Sequence, residues 1–343
     1  MKIDAIFKDF VFSFHLTLES RGNITQKGSY SHSEKLVCFK QMVMKTDSNK
    51  QVETVRDIFN GMSDEYDNLK DLWYRHTFGF IDQALVREFS LDSRKDPKPL
   101  SLDIGCGTGI QSVRLASLGY KIIGMDIAKN LIEIAGSKLR SAGFPDACFI
   151  LGNAESLPFA DACADAINCC GPALSFVPDW KRALREMSRC LKPGGKLLLE
   201  IEGRWNLDLF WEIVNAVGFN FLGYDQSLMA SLGHLFYPWH KGYSTHYSFR
   251  LESGESVSMP LKLFTAREIR KAMKICGLVV DKSWGLHGIT NIIPSTILHK
   301  PDPGLFTRAF FPILSSLERR LNQLWPLRSF GCSLLLCAHK ETG

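Results

Sequence analysis

A glycine-rich run between a strand-like apolar segment and a helix-like segment has the residue types of a binding loop for a nucleoside-bearing ligand. The run is Ser101-Leu102-Asp103-Ile104-Gly105-Cys106-Gly107-Thr108-Gly109. Glycines at alternate positions let the backbone turn sharply and approach a ligand that a Cβ atom would exclude. A dinucleotide fingerprint needs its third glycine three residues after the second, but that position holds Ile110. No Gly-Lys-Ser/Thr sequence follows, so the run does not match a Walker-type phosphate loop either.

Polar residues follow three further strand-like segments, at the points where the apolar stretches end. These segments and the residues after them are 121–125 with Asp126, 147–151 with Gly152–Phe159, and 164–169 with Cys169-Cys170-Gly171. Open α/β sheets bind ligands outside the carboxyl ends of their strands, so we expect these positions to lie near Gly105. A carboxylate at Asp126 could accept hydrogen bonds from both hydroxyls of a ribose, although the same residue also suits a helix N-cap.

The acidic-x-Gly-x-Gly-x-Gly run, Asp126 and the Leu191-Lys192-Pro193-Gly194-Gly195 turn together resemble class I S-adenosylmethionine-dependent methyltransferases. The similarity is to the methyltransferase type 11 and quinone C-methyltransferase families, over roughly residues 55–203 and 264–286. It implies an α/β fold with a Rossmann-like sheet of seven mostly parallel strands, the last one antiparallel, and helices on both faces. It also implies that S-adenosyl-L-methionine binds and leaves as S-adenosyl-L-homocysteine. The residues implied to bind this cofactor are Asp103, Gly105, Cys106, Gly107, Gly109, Asp126, Ile127, Asn153, Ala154 and Cys169.

The resemblance assigns parts of the cofactor to individual residues. Asp103 would organise the ammonium end, often through water, and a buried carboxylate bonded only to neighbouring backbone amides is the alternative. Asn153 stands where the family usually has Asp and would line the adenine pocket, since its amide oxygen can accept a hydrogen bond from the adenine amine. The turn at Cys169-Cys170-Gly171 would lie near the transferred methyl group. Two cysteines that simply pack at a strand end are the alternative explanation of that turn.

An apolar stripe before the glycine run predicts a helix that covers the cofactor site. Its members are Val52, Val55, Ile58, Phe59 and Met62. Residues 58–67 resemble the stretch before the core in quinone methyltransferases, where a Tyr-Asp pair packs over the cofactor. Tyr66 is thus a candidate lid and catalytic residue, because a phenol could stabilise a sulfonium by oxygen contact and cation–π attraction. An ordinary amphipathic anchor is the other interpretation. A helix through residues 72–80 is expected to cover the sheet edge.

The segment from residue 203 to residue 262 interrupts the minimal sheet pattern and is rich in aromatic side chains. It is too long for an empty loop and too aromatic for disorder, so we expect a cap with its own small core above the strand ends. Such a cap could form an apolar chamber for a bulky acceptor, unless its aromatic residues only pack against the core. His234 and His240 join Tyr66 as catalytic candidates, with packing histidines as the alternative. Further candidates for a base are His246, Tyr224, Tyr237 and Glu202.

After a capping box at Thr265-Ala266-Arg267-Glu268 and a sixth strand at residues 278–280, a second insertion occupies residues 287–330. Its helix-like part places on one face Phe306, Phe310, Ile313, Leu314, Leu317, Leu321 and Leu324. Docking of this face onto the cap or core is one explanation, and a membrane-surface helix that collects a lipid-like acceptor is the other. Residues 331–340 resemble the last strand of the fold, inserted antiparallel between strands five and six.

These elements divide the chain into four kinds of segment. Residues 1–50 are expected to be an extension outside the fold, with Met44 as the hypothesised start of the native chain, and residues 51–94 to form helices over the cofactor site. The methyltransferase core comprises residues 95–203, 263–286 and 331–343. The substrate cap comprises the insertions at residues 204–262 and 287–330.

Composition narrows the classes of function. With 343 residues and 45% hydrophobic content the chain can bury a core and form about two domains. A net charge of +5 without a long Lys/Arg run gives no reason to expect a nucleic-acid partner. Ten cysteines without framework spacing favour a reducing, cytoplasmic location, and the absence of a CxxC pair predicts no metal site. No uninterrupted apolar window of about 18 residues occurs, which leaves peripheral contact as the only expected relation to a membrane.

The activity that these inferences predict is methyl transfer to a hydrophobic small molecule, at a carbon or oxygen atom of a quinol, phenol or lipid-like acceptor. A sulfonium already carries its leaving group, so the protein must align the reactants and exclude water, and no metal is needed. A methyltransferase that acts on a polar amine is one alternative. A regulatory module that binds S-adenosylmethionine without turnover is another. The sequence indicates no oligomeric state.

Overall fold

The structure, a computed structural model, describes most of the chain from residue 49 onward. The described ranges are 49–63, 66–68, 71–91, 97–218, 221–224, 228–250 and 256–342. The expectations for residues 1–48, including the hypothesised start at Met44, lie outside the described residues.

The strands of the described residues form one large sheet and one separate hairpin. They are β1 (Leu100–Ile104), β2 (Lys121–Asp126), β3 (Cys148–Leu151), β4 (Ala164–Cys169), β5 (Leu191–Glu202), β6 (Tyr243–Arg250), β7 (Ser256–Leu263), β8 (Leu278–Leu286) and β9 (Ser333–Lys340). The large sheet has the order β3-β2-β1-β4-β5-β9-β8, and β1 to β5 run parallel. β9 is antiparallel to both of its neighbours, β5 and β8. The predicted seven-stranded, mostly parallel fold with an inserted antiparallel last strand is therefore confirmed.

Helices precede and connect these strands. They are α1 (49–61), α2 (Leu72–Phe89), α3 (Ile110–Ser117), α4 (Lys129–Ser141), α5 (Trp180–Cys190), α6 (Asp208–Val217), α7 (Leu228–Phe236), α8 (Ala266–Ile275), α9 (Ser295–Leu298) and α10 (Leu305–Leu321). Short 3₁₀ turns occur at Tyr66–Asn68, Ala173–Phe176, Thr290–Ile292 and Leu327–Ser329. Among these described elements, none is a helix with both the length and the apolarity that crossing a bilayer requires.

The core consists of two apolar layers, one on each face of the large sheet. Successive side chains of a strand point to opposite faces, and β5 feeds both layers accordingly. Leu197 and Leu199 pack in a cluster with residues of α5 and α8. Leu198 packs in the opposite cluster, with residues of α2, α3 and β8. α2 covers a face of the sheet, so its predicted position at the sheet edge was wrong. Its buried side chains continue along the helix to Phe89, and they pack on several strands instead of on an edge strand alone.

The predicted capping box at residues 265–268 and the predicted turn at residues 191–195 both differ in part from their expected structures. Thr265 begins α8 as expected, since its hydroxyl accepts a hydrogen bond from the Glu268 amide at 3.1 Å. The Glu268 carboxylate does not complete the capping box but accepts from the Gly242 amide at 2.9 Å, which connects α8 to the loop before β6. The expected turn at residues 191–195 is a bulge within β5, because the chain pairs at Leu191 and then again at Lys196.

The first insertion is organised around a buried arginine rather than around an apolar core of its own. Arg204 is 2% exposed and donates hydrogen bonds to carbonyl oxygens of residues 234–241. Its guanidinium also lies over three aromatic rings, those of Trp205, Tyr237 and Tyr243. Several of the other aromatic side chains are exposed, among them Phe221 and Phe236 at 67% and 82%. In place of the expected small aromatic core, these rings make cation–π contacts with the guanidinium of Arg204.

The second insertion contains α10, and its predicted apolar face is divided. Leu314 is buried together with Phe311. By contrast, side chains of the same predicted face are exposed to solvent, including Phe306 at 77% and Ile313 at 61%. Docking of the whole predicted face onto the protein was therefore wrong. The helix uses a neighbouring stripe for packing because residues 311, 314 and 318 fall on one side of it.

Candidate functional site

Three glycines with left-handed backbone angles shape the loop after β1. Gly105, Gly107 and Gly109 have φ angles of 71°, 52° and 80°, a region that residues with side chains rarely adopt. The Gly105 amide donates to the Met125 carbonyl oxygen at 2.8 Å, which joins the loop to the end of β2. A Cβ atom at Gly105 would collide with the methyl group of Ala173, so only glycine fits there.

Asp126 ends β2, and its carboxylate orders the two backbone segments beside it. Oδ2 accepts a hydrogen bond from the Gly107 amide at 2.8 Å, and Oδ1 accepts one from the Ala128 amide at 2.9 Å. The residue is 8% exposed, and burial raises the pKa of its carboxyl while these amide donors oppose the shift. The N-cap interpretation of Asp126 was wrong, because Ala128 is the N-cap of α4 and no side chain caps that helix; the Asp126 carboxylate instead fixes the turn before α4 and lines a cavity.

Asp103 lies in β1 just before the glycine loop, and two side chains engage its carboxylate. The Asn168 amide donates to Oδ1 at 2.8 Å, and the Ser112 hydroxyl donates to Oδ2. Burial raises the pKa of Asp103 to about 6, and these two hydrogen bonds oppose the shift. The alternative of a carboxylate bonded only to backbone amides was therefore wrong, since the partners are the side chains of Ser112 and Asn168. The contact of Asp103 with the ammonium end of the cofactor stays a prediction.

A cavity of about 780 Å³, including its open mouth, lies at the carboxyl ends of β1, β2 and β4. Of the residues predicted to bind the cofactor, its wall contains Gly105, Gly107, Asp126, Ile127, Asn153, Ala154 and Cys169. Cys106 instead lines a smaller neighbouring cavity of about 250 Å³. Gly109 is in neither wall; a Cβ atom there would stand 3.0 Å from the Ala135 methyl group of α4.

Asn153 contributes to the cavity wall from a tight turn after β3. Its Oδ1 accepts a hydrogen bond from the Glu155 amide at 2.9 Å, an Asx-type contact that shapes the turn. A carbonyl oxygen has a second lone pair, so the predicted contact with an adenine amine remains available. Met125 and Leu131 add apolar surface to the same wall. This part of the cavity can therefore combine a flat apolar surface with one polar side chain.

Tyr66 covers the glycine loop and lines both cavities. A Cβ atom at Gly107 would stand 3.6 Å from Tyr66 Cε1, and one at Gly171 would stand 3.7 Å from the phenol oxygen. Burial, followed by the carboxylates of Asp126 and Glu200, raises the pKa of Tyr66. The phenol therefore stays neutral at physiological pH, with its ring and oxygen beside the cavity.

The turn that carries Tyr66 is held by its neighbour, Asp67. The Thr108 hydroxyl donates to Asp67 Oδ1 at 2.6 Å, and Lys138 Nζ of α4 lies 2.7 Å from Asp67 Oδ2. The end of α1 is fixed in the same way, since the Asn130 amide donates to Asn60 Oδ1 at 3.0 Å. These contacts position α1 so that Val52, Val55 and Phe59 line the cavity. Asp67 therefore fixes the turn that carries Tyr66, and the lid role of Tyr66 stays a prediction.

The turn after β4 completes the wall opposite Asp126. Cys169 and Gly171 line the cavity, and the Gly171 amide donates to Glu200 Oε2 at 2.7 Å. Glu200 is fully buried, and burial raises its pKa to about 7. Burial also raises the pKa of the Cys169 thiol to about 12. Cys169 is therefore a neutral, weakly polar wall residue and not a thiolate nucleophile.

The two histidines predicted as catalytic line neither cavity. The His234 ring is stacked on Tyr243 with centroids 4.3 Å apart, and burial and Arg204 lower its pKa. The His240 carbonyl oxygen accepts a hydrogen bond from the Thr265 hydroxyl at 3.1 Å. The structure does not bring either ring together with Tyr66 or the glycine loop. His234 lies near Arg204, and the exposed His240 ring lies edge to face with Trp239.

Carboxyl groups with raised pKa values gather where β5 meets the two insertions. Burial and the neighbouring carboxylates of Glu200 and Asp208 raise the pKa of Glu202 to about 8, and burial raises that of Glu212 to about 7. Asp208 joins the insertions, because its Oδ1 accepts from Asn291 Nδ2 at 2.9 Å and from the Tyr224 hydroxyl. Glu202 and Glu212 can therefore hold or release protons near neutral pH.

One part of the wall was missed from the sequence. The 3₁₀ turn after Gly171 and the residues next to it contribute Leu174, Phe176, Val177 and Pro178. Phe176 lies edge to face with Phe59 of α1, with ring centroids 5.6 Å apart. The apolar run after Cys169-Cys170-Gly171 was the available signal. However, the sequence of that run does not show that Phe176 contacts Phe59, because the two residues are far apart in the chain.

Comparison with known proteins gives sequence matches in the same region. A family model described as a methyltransferase domain matches residues 102–199. The demethylmenaquinone methyltransferase of Lactococcus lactis subsp. lactis (strain IL1403) is 33% identical over 166 residues, 47% of this chain and 62% of that protein. The demethylmenaquinone methyltransferase of Bacillus cereus (strain B4264) is 32% identical over 151 residues, 43% of this chain and 61% of that protein. The matches thus cover under two thirds of these relatives.

Solved structures provide further matches at lower identity. An S-adenosylmethionine-dependent methyltransferase from Clostridium acetobutylicum ATCC 824 is 15% identical, with a TM-score of 0.48 over 83% of this chain and 98% of that one. One from Methanosarcina mazei is 23% identical, with a TM-score of 0.46 over 74% of this chain and all of that one. The assignment rests on the sequence matches and the strand order. Residues 102–199 match the methyltransferase-domain family, the large sheet has the strand order typical of class I S-adenosylmethionine-dependent methyltransferases, and the chain is distantly similar to the demethylmenaquinone methyltransferases.

Proposed function

We propose that the protein binds S-adenosyl-L-methionine in the larger cavity and transfers its methyl group to a hydrophobic small molecule. The observation that supports this most strongly is that one cavity is lined at once by the glycine loop, Asp126 and Tyr66. A loop that a Cβ atom would fill, a buried carboxylate and an aromatic ring are the features that a nucleoside sulfonium requires.

The cavity wall supports a division of the donor site into three parts. Asn153, Ile127 and the apolar surface near Leu131 would hold the adenine. Asp126 would accept hydrogen bonds from the ribose hydroxyls, because its side chain faces the cavity while its two backbone donors keep it fixed. Tyr66 and Cys169 would flank the sulfur, where a neutral phenol and a neutral thiol place weakly polar groups near a cation.

The chemistry needs alignment more than acid–base catalysis. The bound donor supplies a methyl group on a positively charged sulfur, which an acceptor atom displaces in line. α1 and Tyr66 cover the site and limit the access of water. The two glycine turns at Gly107 and Gly171 let the wall approach the reacting atoms closely. The neutral Tyr66 phenol does not compete as a nucleophile, because burial keeps it protonated.

The names of the relatives support a quinol-like acceptor, methylated at a ring carbon or at oxygen. Both proteins named above are demethylmenaquinone methyltransferases. If such an acceptor must lose a proton, Glu202 is a better candidate than His234 or His240. It lies two residues beyond Glu200, which binds the Gly171 amide of the cavity wall, and side chains two apart share a face of a strand. Its pKa of about 8 suits a base at neutral pH.

A turnover assay with a labelled methyl donor tests the proposal. The full chain is incubated with the donor and with quinols, phenols, lipids, polar amines or no acceptor. We expect S-adenosyl-L-homocysteine to form with a quinol or phenol, and Glu202→Gln to slow this turnover without weakening donor binding. Methylation of amines alone would favour the amine-directed alternative. Donor binding without turnover on any acceptor would favour a regulatory module.

A further inference from the structure

α10 presents a continuous apolar stripe to solvent. Its most exposed side chains follow the spacing of one helix face: Phe306 at 77%, Phe310 at 38%, Ile313 at 61% and Leu317 at 44%. Phe306 and Phe310 are stacked on each other, with ring centroids 5.6 Å apart. Trp325, a little beyond the end of the helix, is 78% exposed. Large apolar side chains that gather on one exposed face indicate an interaction surface.

The neighbouring side of α10 is packed firmly, so the exposed stripe has a fixed orientation. Phe311 and Leu314 are 6% and 5% exposed. Glu318 is fully buried; its Oε1 lies 2.7 Å from His76 Nε2 of α2, and its Oε2 accepts from the Thr290 amide at 2.9 Å. A helix held by these contacts cannot turn its apolar stripe inward without breaking them. The stripe therefore remains on the surface of the folded protein.

The charges around the stripe are predominantly positive. Arg308, Arg319 and Arg320 are exposed. Glu318, the one carboxylate within residues 305–321, is buried on the other side. Asp302, which precedes the helix, is paired with Arg308 at 3.0 Å. At 3.6 residues per turn Arg320 borders the stripe, whereas Arg308 and Arg319 lie across the helix from it. An apolar stripe on a helix of net positive charge matches an anionic lipid surface, where acyl chains receive the apolar residues and the anionic headgroups attract the cations.

We propose that α10 docks the protein on an anionic lipid surface, with Phe306, Phe310, Ile313 and Leu317 inserted at the interface. The arginines argue against a second copy as the occupant, because pairing two identical faces about a two-fold axis brings like charges together. The helix lies in the plane of the interface, since its buried side stays packed on α2 and the Thr290 turn. This proposal is independent of the methyl-transfer chemistry and rests on the exposed face alone.

Flotation with lipid vesicles tests the proposal on the full chain. We expect the protein to float with vesicles of phosphatidylglycerol and phosphatidylcholine, to bind phosphatidylcholine vesicles less, and to lose binding in high salt. Ile313→Glu should reduce the bound fraction by at least about tenfold, because it removes an inserted side chain and adds a negative charge. The matched control is Ile275→Glu in α8, where an isoleucine that is 74% exposed lies outside the stripe.

The outcomes separate this surface from the donor site. Titration with S-adenosyl-L-methionine and thermal unfolding should be unchanged in both variants, since neither isoleucine lines the cavity. Wild-type protein that fails to float with anionic vesicles, or Ile313→Glu protein that floats as well as Ile275→Glu, overturns the proposal. Self-association that Ile313→Glu abolishes, without vesicle binding, would assign the stripe to a second copy and also overturn it.

Discussion

At the scale of single residues, the two aspartates nearest the glycine loop have different surroundings and therefore different tasks. Asp126 faces the cavity while two backbone amides hold it. Asp103 is 1% exposed, lies outside the cavity wall, and is hydrogen-bonded by Ser112 and Asn168. From the sequence, both could have touched a ligand. The structure favours a ligand contact for Asp126 and a scaffolding role for Asp103.

Replacement of Asp103 by Asn tests that scaffolding role. The new amide group would place a donor opposite the donors of Asn168 or Ser112, and an unsatisfied buried polar group costs about 1–3 kcal/mol. We expect urea denaturation to show a loss of this size in the free energy of unfolding. The exposed Asp146→Asn is the control and should unfold like wild type. A variant of unchanged stability that binds S-adenosyl-L-methionine more weakly would show instead that Asp103 acts on the donor.

At the scale of elements, α1 and the turn after it form a lid whose position depends on polar contacts to α4 and the glycine loop. The hydrophobic stripe of α1 was readable from the sequence because it repeats with helical spacing, and the Tyr-Asp pair was identified by its resemblance to quinone methyltransferases. The contacts of Asp67 with Thr108 and Lys138 were not, since they join residues far apart in the chain. The same reason explains why Phe176 was missed and why His234 and His240 were favoured.

Tyr66 variants test the lid. Tyr66→Ala removes the ring beside Gly107 and opens the cavity to the smaller one next to it, so donor affinity should fall by roughly three- to tenfold. Tyr66→Phe keeps the ring and should bind the donor nearly as well as wild type. Isothermal titration measures both affinities. Equal affinities for the Ala variant and wild type would mean that Tyr66 is only a packing anchor.

Glu318 tests the connection between α10 and α2. Glu318→Gln presents an amide to the backbone donors of residues 287–290 and breaks the contact with His76, which should cost about 3 kcal/mol of unfolding free energy. Burial alone would raise the pKa of Glu318, but the hydrogen bond and charge of His76, together with His287 and the Thr290 amide, lower it to about 2. Its contribution is therefore complete above the unfolded pKa and is lost as pH falls toward 2. Denaturation of Ser316→Ala, on the exposed side of α10, is the control.

The sheet was predicted more completely than the insertions, for a physical reason. Each core strand is an apolar run that ends at a residue of the family pattern, such as Asp126 or Gly171. The place of the strand in the sheet could therefore be assigned from the sequence around it. α10 has apolar residues on two sides, and periodicity alone does not show that residues 311 and 314 pack inward while residue 313 faces solvent. Likewise, the aromatic residues of the first insertion predicted an apolar core. In the structure, rings such as those of Trp205 and Tyr243 pack on the buried guanidinium of Arg204.

At the scale of the whole molecule, buried carboxyl groups make stability depend on pH. The pKa values of Glu200, Glu202 and Glu212 are raised to about 7, 8 and 7 by burial. A raised folded pKa means that the folded state retains protons that the unfolded state releases. The stabilising contribution is present below the unfolded pKa and is lost as pH rises through the folded values. Since Glu318 acts in the opposite direction at low pH, stability should be greatest near about pH 5.

A series of denaturation curves between acidic and mildly alkaline pH measures this dependence. We expect the free energy of unfolding to decrease from about pH 5 to about pH 8, and Glu202→Gln to flatten the decrease because its amide has no proton to lose. The exposed Glu133→Gln in α4 should leave the slope unchanged. A slope that Glu202→Gln does not alter would contradict the assigned burial of this carboxyl.

The most direct measurement is isothermal titration of S-adenosyl-L-methionine into the full chain and into Asp126→Ala, with Asp146→Asn as the control. The account predicts that wild type and the control bind the donor and do not bind NAD. It also predicts that Asp126→Ala, shown to be folded by its circular dichroism, binds at least about tenfold more weakly, as expected for the loss of hydrogen bonds to a charged group. A folded wild-type protein that prefers NAD, or a folded Asp126→Ala variant with unchanged affinity, would contradict it.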